Sequence, residues 1–333
     1  MSEHLSKFET HKNLVNTYLA QFLSEHHNGH SPNSPKSLYE PIQYTLEGNG
    51  KRVRPLLLLL SCEALGGATQ DALPAAAAVE LMHNFTLVHD DIMDHDQTRR
   101  GRPTVHHKWD TNAAILAGDG LMVLAFKSLL QTESRRLKQM CQVFTDGLYE
   151  ICEGQAIDSE FECDDKVTMA RYEDMILKKT ARLLAVCAQI GGLVADASHA
   201  KIELLKRFAE HLGMAFQIQD DLLDITVEQA RLGKDYGSDV KQRKRTFLYV
   251  YTMTHGTATH RQTLREIFRK SEIAPPDVRV VRDTFEAAGT LAATQQAVQA
   301  HLATARRQLE LLGTDARTSD LARFVDMILH RTA

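Results

Sequence analysis

The chain has 333 residues, 43% of them hydrophobic and 25% charged, which is the composition of an ordinary globular protein. Its 18 glycines and 8 prolines are too few for a collagen-like, linker-rich or disordered chain. The net charge of -4 does not favour a nucleic-acid partner or an anionic membrane surface.

Helices are predicted from the N-terminus onward. Apolar residues recur there at helical spacing, namely Leu5, Phe8, Val15, Leu19 and Phe22. This spacing predicts an amphipathic helix over residues 3–24, and the prolines and glycine that follow predict a loop over residues 26–36. From Pro55 onward the pattern is again helical, with breaks predicted at Gly66-Gly67, Gly101-Arg102-Pro103, Gly191-Gly192, Gly233 to Gly237 and Pro275-Pro276. Strand-like alternation does not recur, so the predicted fold class is all-α.

Three features indicate a cytoplasmic protein. The N-terminus is polar and of mixed charge, unlike a secretory signal. Apolar runs such as Leu56 to Leu60 are far shorter than a membrane span, so no stable membrane anchor is expected. The five cysteines form no CxxC pair, a pattern that fits a reducing compartment better than a disulfide framework or a zinc site.

One internal similarity relates two parts of the chain. Residues 54–67 align with residues 179–192 without a gap, and the alignment matches Cys62 with Cys187 and both Gly-Gly pairs. A chance similarity between two buried helices is the alternative explanation. An apolar helix with an Asp-Asp-x-x-Asp cluster follows each copy, which favours a pseudo-repeat with the two clusters opposite each other in one bundle. We therefore predict a single all-helical domain over residues 1–333.

The two acidic clusters have the same spacing: Asp90, Asp91 and Asp94 in FTLVHDDIMD, and Asp220, Asp221 and Asp224 in QIQDDLLDI. Helical positions four apart lie about 40° apart in projection, so the outer aspartates of each cluster share a face. Like charges on one face, set among apolar residues, are unfavourable unless cations neutralise them. Oxygen ligands in small number are typical of Mg²⁺ sites, which water and substrate phosphate complete. The alternative for a single cluster is a solvated acidic face or a helix cap.

A second kind of metal site is weaker. Glu80-x-x-His83 has the spacing of a di-iron ligand pair, but the chain has no second Glu-x-x-His. His83 lies two helical turns before Asp90, so it is expected to face the same site.

Basic residues accompany both clusters. They are Lys51, Arg52 and Arg54 in GNGKRVRP, Arg99 and Arg100 after the first cluster, and Lys179, Lys234, Lys241 and Lys244 around the second. Arginine offers a planar fork for phosphate oxygens, and lysine a point charge. Carboxylates for metal together with separate cations predict a substrate with dense negative charge, and the cations are numerous enough for two diphosphates.

With these motifs the sequence resembles the trans-isoprenyl diphosphate synthases of the polyprenyl synthetase family. The resemblance rests on GNGKRVRP, ELMHNFTLVHDDIMDHDQTRRGRPTVH, Lys179-Thr180, FQIQDDLLDI and GKDYGSDVKQRKRT, which span residues 48–246 in the family's order. It implies an all-α bundle around a deep central cavity and a homodimer. It also implies three Mg²⁺ ions per site, two bound through the first motif and one through the second.

The resemblance also implies roles for individual residues. Metal binding falls to Asp90, Asp91, Asp94, Asp220, Asp221 and Asp224, with Asp220 as the strongest candidate of the second motif. The residues that match those binding isopentenyl diphosphate are Lys51, Arg54, His83 and Arg100. The residues that match those binding the allylic diphosphate or lining the reacting centre are Arg99, Lys179, Thr180, Gln217, Lys234 and Lys244. The chain departs from the family at Asn49-Gly50 and at Gln242-Arg243-Lys244, so which of Lys241, Arg243 and Lys244 contacts phosphate stays open.

The implied reaction is ionisation of an allylic diphosphate, condensation with isopentenyl diphosphate and loss of a proton. The residues upstream of Asp90 favour a C20 product, geranylgeranyl diphosphate, because Phe85 is followed by the small Thr86, with Met82 about one turn deeper. The C15 farnesyl product is the alternative. A class I terpene cyclase is a more remote one, since Glu228 has the right spacing but Asp224 stands where a hydroxyl is needed. A non-catalytic partner subunit is disfavoured because both aspartate motifs are kept.

Overall fold

The computed structural model describes residues 2–26, 34–48, 50–162, 164, 166–226, 237–313 and 316–329. Helices make up 81% of it, which confirms the all-α class. The helix predicted over residues 3–24 is present and extends from Ser2 to His26. Most of the loop predicted over residues 26–36 lies outside the described residues, as does most of the break predicted at Gly233 to Gly237.

The elements follow one another in this order: α1 (Ser2–His26), α2 (Lys36–Leu46), α3 (Val53–Ala64), α4 (Thr69–Met93), β1 (Thr98–Arg99), β2 (Arg102–Pro103), α5 (Val105–Lys108), α6 (Thr111–Leu129), α7 (Leu137–Phe161), α8 (Met169–Ile176), a π turn (Leu177–Ala181), α9 (Arg182–Val194), α10 (His199–Thr226), α11 (Ser238–Lys241), α12 (Phe247–His255), α13 (Ala258–Phe268), α14 (Pro275–Ala287), α15 (Thr290–Leu312) and α16 (Ala316–Leu329).

The chain divides into two compact units. Unit 1 comprises residues 1–145, 186–205 and 314–321, and unit 2 comprises residues 146–185, 206–313 and 322–333. The first aspartate motif belongs to unit 1 and the second to unit 2. A single domain around a central cavity stays a prediction.

The core of unit 1 is built around α4, which packs against α3 and α6. Four consecutive alanines, residues 75–78, are fully buried in α4, and small side chains allow helices to approach closely. Nearer its C-terminus, α4 places the ring of His89 over Gly118 of α6. A Cβ atom at Gly118 would lie 2.1 Å from His89 Nε2, so this contact requires glycine. The sequence of α4 therefore fixes a tight interface directly beside the first motif.

The two Gly-Gly pairs of the repeat act differently. Gly66 adopts a positive φ of 87° just after α3 ends, as predicted. The break predicted at Gly191-Gly192 is wrong, because α9 continues to Val194. Gly191 instead allows close packing, since a Cβ atom there would lie 2.4 Å from the carbonyl oxygen of Leu58. The two aligned helices therefore contact each other at this glycine.

A two-stranded hairpin follows the first motif. Thr98 pairs with Pro103 and Arg99 with Arg102, in antiparallel register. The central residues of the turn, Arg100 and Gly101, both have positive φ, at 53° and 73°, as a type I′ turn requires. Arg99 therefore lies in β1 and Arg100 in the turn that follows it.

In unit 2, α12 packs against α8, α14 and α15, and the fully buried rings of Tyr172, Phe208 and Phe285 contribute to the core. The π turn lies between two glycines of neighbouring helices. A Cβ atom at Gly154 of α7 would lie 2.3 Å from the Lys179 nitrogen, and one at Gly213 of α10 would lie 2.4 Å from the Ala181 Cα. These contacts hold the extra residue of the π turn in place.

Among the described residues, one helix is long and apolar enough to cross a membrane. It is α6, with a mean hydropathy of 1.3, and half of it is buried within the protein. Core helices of water-soluble proteins have the same length and composition.

Candidate active site

The first aspartate motif lies at the C-terminal end of α4. Asp90 and Asp91 are in its last turn, and Asp94 is the C-cap, with its backbone N–H donating to the Asp90 carbonyl at 2.8 Å. The C-terminus of a helix carries partial negative charge, so three carboxylates there repel both the helix dipole and one another. This placement is unfavourable for stability and favourable for binding cations.

Asp91 differs from its two neighbours in the motif. It is buried, with 4% of its surface exposed, and its carboxylate forms an ion pair with the Arg99 guanidinium. Arg99 also reaches Asp96, at 3.5 Å. Burial raises the pKa of Asp91 to about 6, an effect that the positive charge of Arg99 opposes but does not cancel. Arg99 therefore lies against the first motif, where the resemblance assigns it to the allylic diphosphate.

Three of the four residues assigned to isopentenyl diphosphate lie near one another in unit 1. Arg54 Nη1 is 3.0 Å from His83 Nε2. Burial holds the pKa of His83 well below its usual range, and the positive charges of Arg54 and Arg100 lower it further. The imidazole is therefore neutral at pH 7 in a strongly positive environment. Arg100 passes Gly50, where an added Cβ would lie 3.0 Å from its Nη1 atom, and Lys51 is exposed beside it in sequence.

Arg52 has a structural role that the sequence did not reveal. It is buried in the left-handed conformation, with φ 50°, immediately before α3. Its guanidinium donates to Glu80 Oε1 at 2.6 Å and to Asn16 Oδ1 at 2.9 Å. Glu80 also accepts from the Asn84 amide at 3.3 Å. Because protein donors occupy the Glu80 carboxylate, the di-iron alternative has no support in the structure.

A small cavity of about 70 Å³ adjoins the first motif within unit 1. Its lining combines cations with apolar and polar side chains, including Asp91, Arg99, Arg100, Arg102, Tyr44, Asn84, Leu87 and Val105. Arg102 stacks on the Tyr44 ring, with 4.0 Å from its guanidinium carbon to the ring centroid. Tyr44 and Asn84 were not predicted as site residues, since single polar residues within helical patterns give no signal in one sequence.

In the second motif, Asp221 is surrounded by hydrogen-bond donors. The Tyr172 hydroxyl donates to Oδ2 at 2.7 Å, the Phe247 backbone N–H donates to Oδ2 at 2.9 Å, and the Gln217 amide donates to Oδ1 at 2.9 Å. Burial nevertheless raises the pKa of Asp221 to about 6. Phe247 is the first residue of α12, so Asp221 satisfies one of that helix's unpaired N–H groups.

Asp224 anchors the segment that begins α11. It accepts from the Ser238 hydroxyl at 2.8 Å and from the backbone N–H groups of Ser238 and Asp239, each at 3.2 Å. Asp220 is partly exposed. The aspartates of this motif therefore share a sequence pattern but not an environment.

Lys179 and Thr180 lie in the π turn of unit 2. The Thr180 hydroxyl donates to Gln217 Oε1 at 2.9 Å, which links the π turn to Asp221 through Gln217. Lys179 forms an ion pair with Asp158 of α7, a residue that the sequence analysis did not select. Thr180 and Gln217, predicted to line the reacting centre, are thus in direct contact.

Among the cations that follow the second motif, Arg243 has hydrogen-bond partners of its own. Its guanidinium donates to the backbone carbonyls of Lys270 and Ser271, at 2.5 and 2.8 Å. Which of Lys241, Arg243 and Lys244 contacts phosphate stays open. Lys234 lies outside the described residues.

The residues assigned to chain length belong to the buried part of α4. Met82 is fully buried and Phe85 is 8% exposed. The Phe85 ring packs edge-on against His89, with centroids 4.9 Å apart, and the Thr86 hydroxyl donates to the His83 carbonyl at 2.9 Å. His89 was not predicted as part of this group.

The arrangement fits magnesium rather than a preformed all-protein metal site. In the part of the chain that the structure describes, no three His, Cys, Asp or Glu side chains converge as a complete ligand set. Mg²⁺ typically uses one or two carboxylates and takes its other ligands from water and substrate phosphate. Asp90 and Asp94 of the first motif, and Asp220 of the second, suit that pattern.

Comparisons with known proteins agree with this chemistry. The polyprenyl synthetase family profile matches residues 35–285. The geranylgeranyl diphosphate synthase of Methanosarcina mazei is 37% identical over 299 residues, covering 89% of this chain and 90% of that enzyme. The enzyme of the same name from Sulfolobus acidocaldarius is 40% identical, covering 75% and 76%.

A solved structure shows the same similarity in three dimensions. The geranylgeranyl pyrophosphate synthetase of Pyrococcus horikoshii Ot3 superposes with a TM-score of 0.91 at 33% identity, covering 99% of both chains. With its two aspartate motifs and its arginine cluster around His83, the chain belongs to the polyprenyl synthetase family, the trans-prenyltransferases that make isoprenyl diphosphates.

Proposed function

We propose that this enzyme makes geranylgeranyl diphosphate, the C20 product, from isopentenyl diphosphate and an allylic primer. The similarity to the enzymes of Methanosarcina mazei and Sulfolobus acidocaldarius supports this product. Phe85 supports it as well, because a single buried aromatic followed by Thr86 leaves more depth than two bulky residues would. Farnesyl diphosphate, C15, is the alternative product.

The observation that carries the proposal is the environment of His83. A buried neutral imidazole with Arg54 at 3.0 Å, in the field of Arg100, Arg99 and Arg52, concentrates positive charge that a dense anion would neutralise. We propose that Lys51, Arg54, His83 and Arg100 bind isopentenyl diphosphate. For the allylic diphosphate we propose Arg99, Lys179, Thr180, Gln217, Lys234 and Lys244.

Prenyl synthases of this family depend on Mg²⁺ in general. We propose three ions per site, two held through Asp90 and Asp94 and one through Asp220. When bound, Mg²⁺ acts as a Lewis acid that neutralises the departing diphosphate. Asp91, Asp221 and Asp224 stay predicted ligands, and each would have to exchange a protein donor for a cation.

The chain's own residues account for the rest of the proposed mechanism. Arg99 and Lys179 stabilise the negative charge that develops on the leaving diphosphate as the allylic C–O bond ionises. Buried apolar side chains, including Phe85 and Met82, exclude water from the resulting cation. No side chain is placed as a dedicated base, so we assign the final proton to an oxygen of the released diphosphate.

Two alternatives are less well supported. A class I terpene cyclase needs one diphosphate site, whereas this chain has arginines around His83 in unit 1 and further basic residues, Lys179 among them, in unit 2. Its second motif also needs a hydroxyl where this chain has Asp224, and Glu228 lies outside the described residues. A non-catalytic subunit does not need two intact aspartate motifs, and this chain keeps both.

We further propose a cytoplasmic homodimer without stable membrane anchoring. Exposed apolar residues on α6, namely Ile115, Leu116 and Val123, support a protein partner on that helix. A second copy of the chain is the partner that the family resemblance implies.

The decisive experiment is a condensation assay with labelled isopentenyl diphosphate, each allylic primer in turn, and Mg²⁺. We expect C20 alcohols after dephosphorylation, and no product when EDTA is present. Asp90→Ala and Asp220→Ala should lower turnover by about a thousandfold or more while leaving the helical circular dichroism unchanged, because they remove proposed metal ligands rather than core packing. Exposed Asp146→Ala is the matched control. Near-normal turnover in both motif variants would refute the assignment.

A further inference from the structure

Lys179 is held by a carboxylate from another helix. Its Nζ atom lies 2.5 Å from Asp158 Oδ2 of α7. The lysine side chain is 20% exposed and the aspartate side chain 15%, so water screens this pair only in part. Both residues belong to unit 2.

The same face of α7 also positions the Lys179 backbone. Gly154 lies one helical turn before Asp158, and a Cβ atom at Gly154 would lie 2.3 Å from the Lys179 nitrogen and 2.7 Å from its Cα. One glycine therefore admits the π turn against α7, and the aspartate four residues later holds the end of the lysine side chain. Backbone and ammonium are fixed by a single helix.

Gln155, on that helix between the two contacts, adds an independent observation. It is 9% exposed, and its Oε1 atom is buried with no hydrogen-bond partner in the described part of the chain. Buried acceptors are normally satisfied, so an unpaired one is typical of a surface that receives a further donor. α7 therefore has features of a binding surface as well as of a packing surface.

The neighbouring Lys178 forms exposed ion pairs that serve as a comparison for the Lys179–Asp158 pair. Lys178 Nζ lies 3.3 Å from Glu153 and 3.4 Å from Asp174, and its carboxylate partners are 41% and 51% exposed. This pair joins the same two segments, α7 and the π turn. Exposed pairs of this kind contribute little and do not fix a side chain.

We propose that Asp158 is a positioning residue for the allylic diphosphate. It orders the flexible four-carbon stem of Lys179 before substrate arrives. A lysine ammonium has three donors, and with one directed to Asp158 two are left for phosphate oxygens. The proposal rests on the proposed function, because that function assigns Lys179 to the allylic diphosphate.

The test compares Asp158→Ala, Asp158→Asn and Asp158→Glu with the control Glu153→Ala. Ordering a long side chain in advance of binding is worth about three- to tenfold in affinity, so Asp158→Ala should raise the KM for the allylic substrate by about that factor. The KM for isopentenyl diphosphate should stay within about twofold of the wild type, as should both constants of Glu153→Ala. Asp158→Glu, which restores the charge, should recover part of the loss.

A binding measurement keeps the test independent of turnover. Equilibrium dialysis of the allylic diphosphate with Mg²⁺ and without isopentenyl diphosphate should show that Asp158→Ala weakens its binding by about three- to tenfold, as for KM. Equal shifts for both substrates, or a change in Asp158→Ala no larger than in Glu153→Ala, would overturn the proposal. If melting curves show that Asp158→Ala is unfolded, the nearly isosteric Asp158→Asn decides, and wild-type allylic affinity in it would refute the role. A wild-type enzyme that forms no prenyl product would instead refute the proposed function.

Discussion

Neighbouring aspartates of each motif differ in burial and in hydrogen bonding. Asp91 and Asp221 are each 4% exposed and bonded to protein donors, whereas Asp90 and Asp220 are partly exposed. Burial disfavours the charged carboxylate and raises the pKa of both buried aspartates to about 6. Each motif therefore contains one buried aspartate whose pKa is raised by burial.

This difference predicts that the acid limb of the pH profile of turnover depends on the Mg²⁺ concentration. Both buried aspartates have a folded-state pKa of about 6, above the usual 3.8, so they take up protons as the pH falls through 6. Their protonation lowers the negative charge of the site, and protons and Mg²⁺ then compete. We expect turnover at subsaturating Mg²⁺ to fall below pH about 6, and saturating Mg²⁺ to move the limb to lower pH.

Turnover measured from pH 5 to 8 at two Mg²⁺ concentrations checks this expectation. Asp91→Asn removes one of the titrating groups and should shift or flatten the limb. His83 is not expected to contribute to this limb, because its pKa is held well below its usual range. An acid limb that does not change with the Mg²⁺ concentration would contradict the assignment of the limb to these aspartates.

At the scale of elements, α4 combines several tasks in one helix. Its alanines pack the core, Glu80 binds Arg52, His83 faces the arginine cluster and the last turn carries the first motif. Phe85 and His89 lie between the cluster and the motif, and His89 Nε2 is 3.2 Å from the Ile115 carbonyl of α6. Phe85 and Thr86 are therefore the positions on this helix where we expect a substitution to alter product length.

Product length is expected to follow the volume at Phe85. If its ring limits the growing chain, Phe85→Ala should lengthen the product distribution beyond C20, and Thr86→Phe should shorten it towards C15. Chromatography of the dephosphorylated alcohols measures both changes. Phe22→Ala, in α1, also removes a buried aromatic of unit 1 and serves as the control for lost stability. Unchanged distributions in both variants would place the limit elsewhere, for instance on α6.

At the scale of the whole molecule, α6 has a buried face and several large apolar side chains that are exposed. Its buried face packs on α4, while Ile115, Leu116 and Val123 are 41%, 50% and 56% exposed. Large apolar side chains grouped on one helix are typical of a surface that another chain covers. The length and hydropathy of α6 are thus accounted for by two interfaces, one within the chain and one proposed between copies.

A homodimer through α6 makes a direct prediction. The wild type should elute with a mass twice that of the 37.4 kDa chain in size-exclusion chromatography with light scattering. Leu116→Glu together with Val123→Glu should produce monomer, because a buried charge without a partner opposes association. Thr259→Glu, an exposed position of α13 in unit 2, should leave the mass unchanged. A wild type that elutes as monomer, or a double variant that stays dimeric, would contradict the proposed interface.

Local pattern determined much of this protein. The helical period predicts α1 and the all-α class, and the i,i+4 spacing places Asp90 and Asp94 on one face, because both depend only on residues near in sequence. The break predicted at Gly101-Arg102-Pro103 likewise coincides with a tight turn centred on Arg100 and Gly101. Residue type and spacing were also sufficient to indicate magnesium and diphosphate chemistry.

Tertiary structure decided which charges meet. Glu80 pairs with Arg52 rather than with a metal, Asp158 pairs with Lys179 across 21 residues, and Asp221 holds Tyr172 from 49 residues away. The Gly66-Gly67 pair follows the end of α3, whereas the aligned Gly191-Gly192 pair lies within α9, where it allows close helix contact. Such outcomes depend on which helices pack together, and packing sums many weak contacts between distant residues. No period or spacing within one sequence encodes that sum.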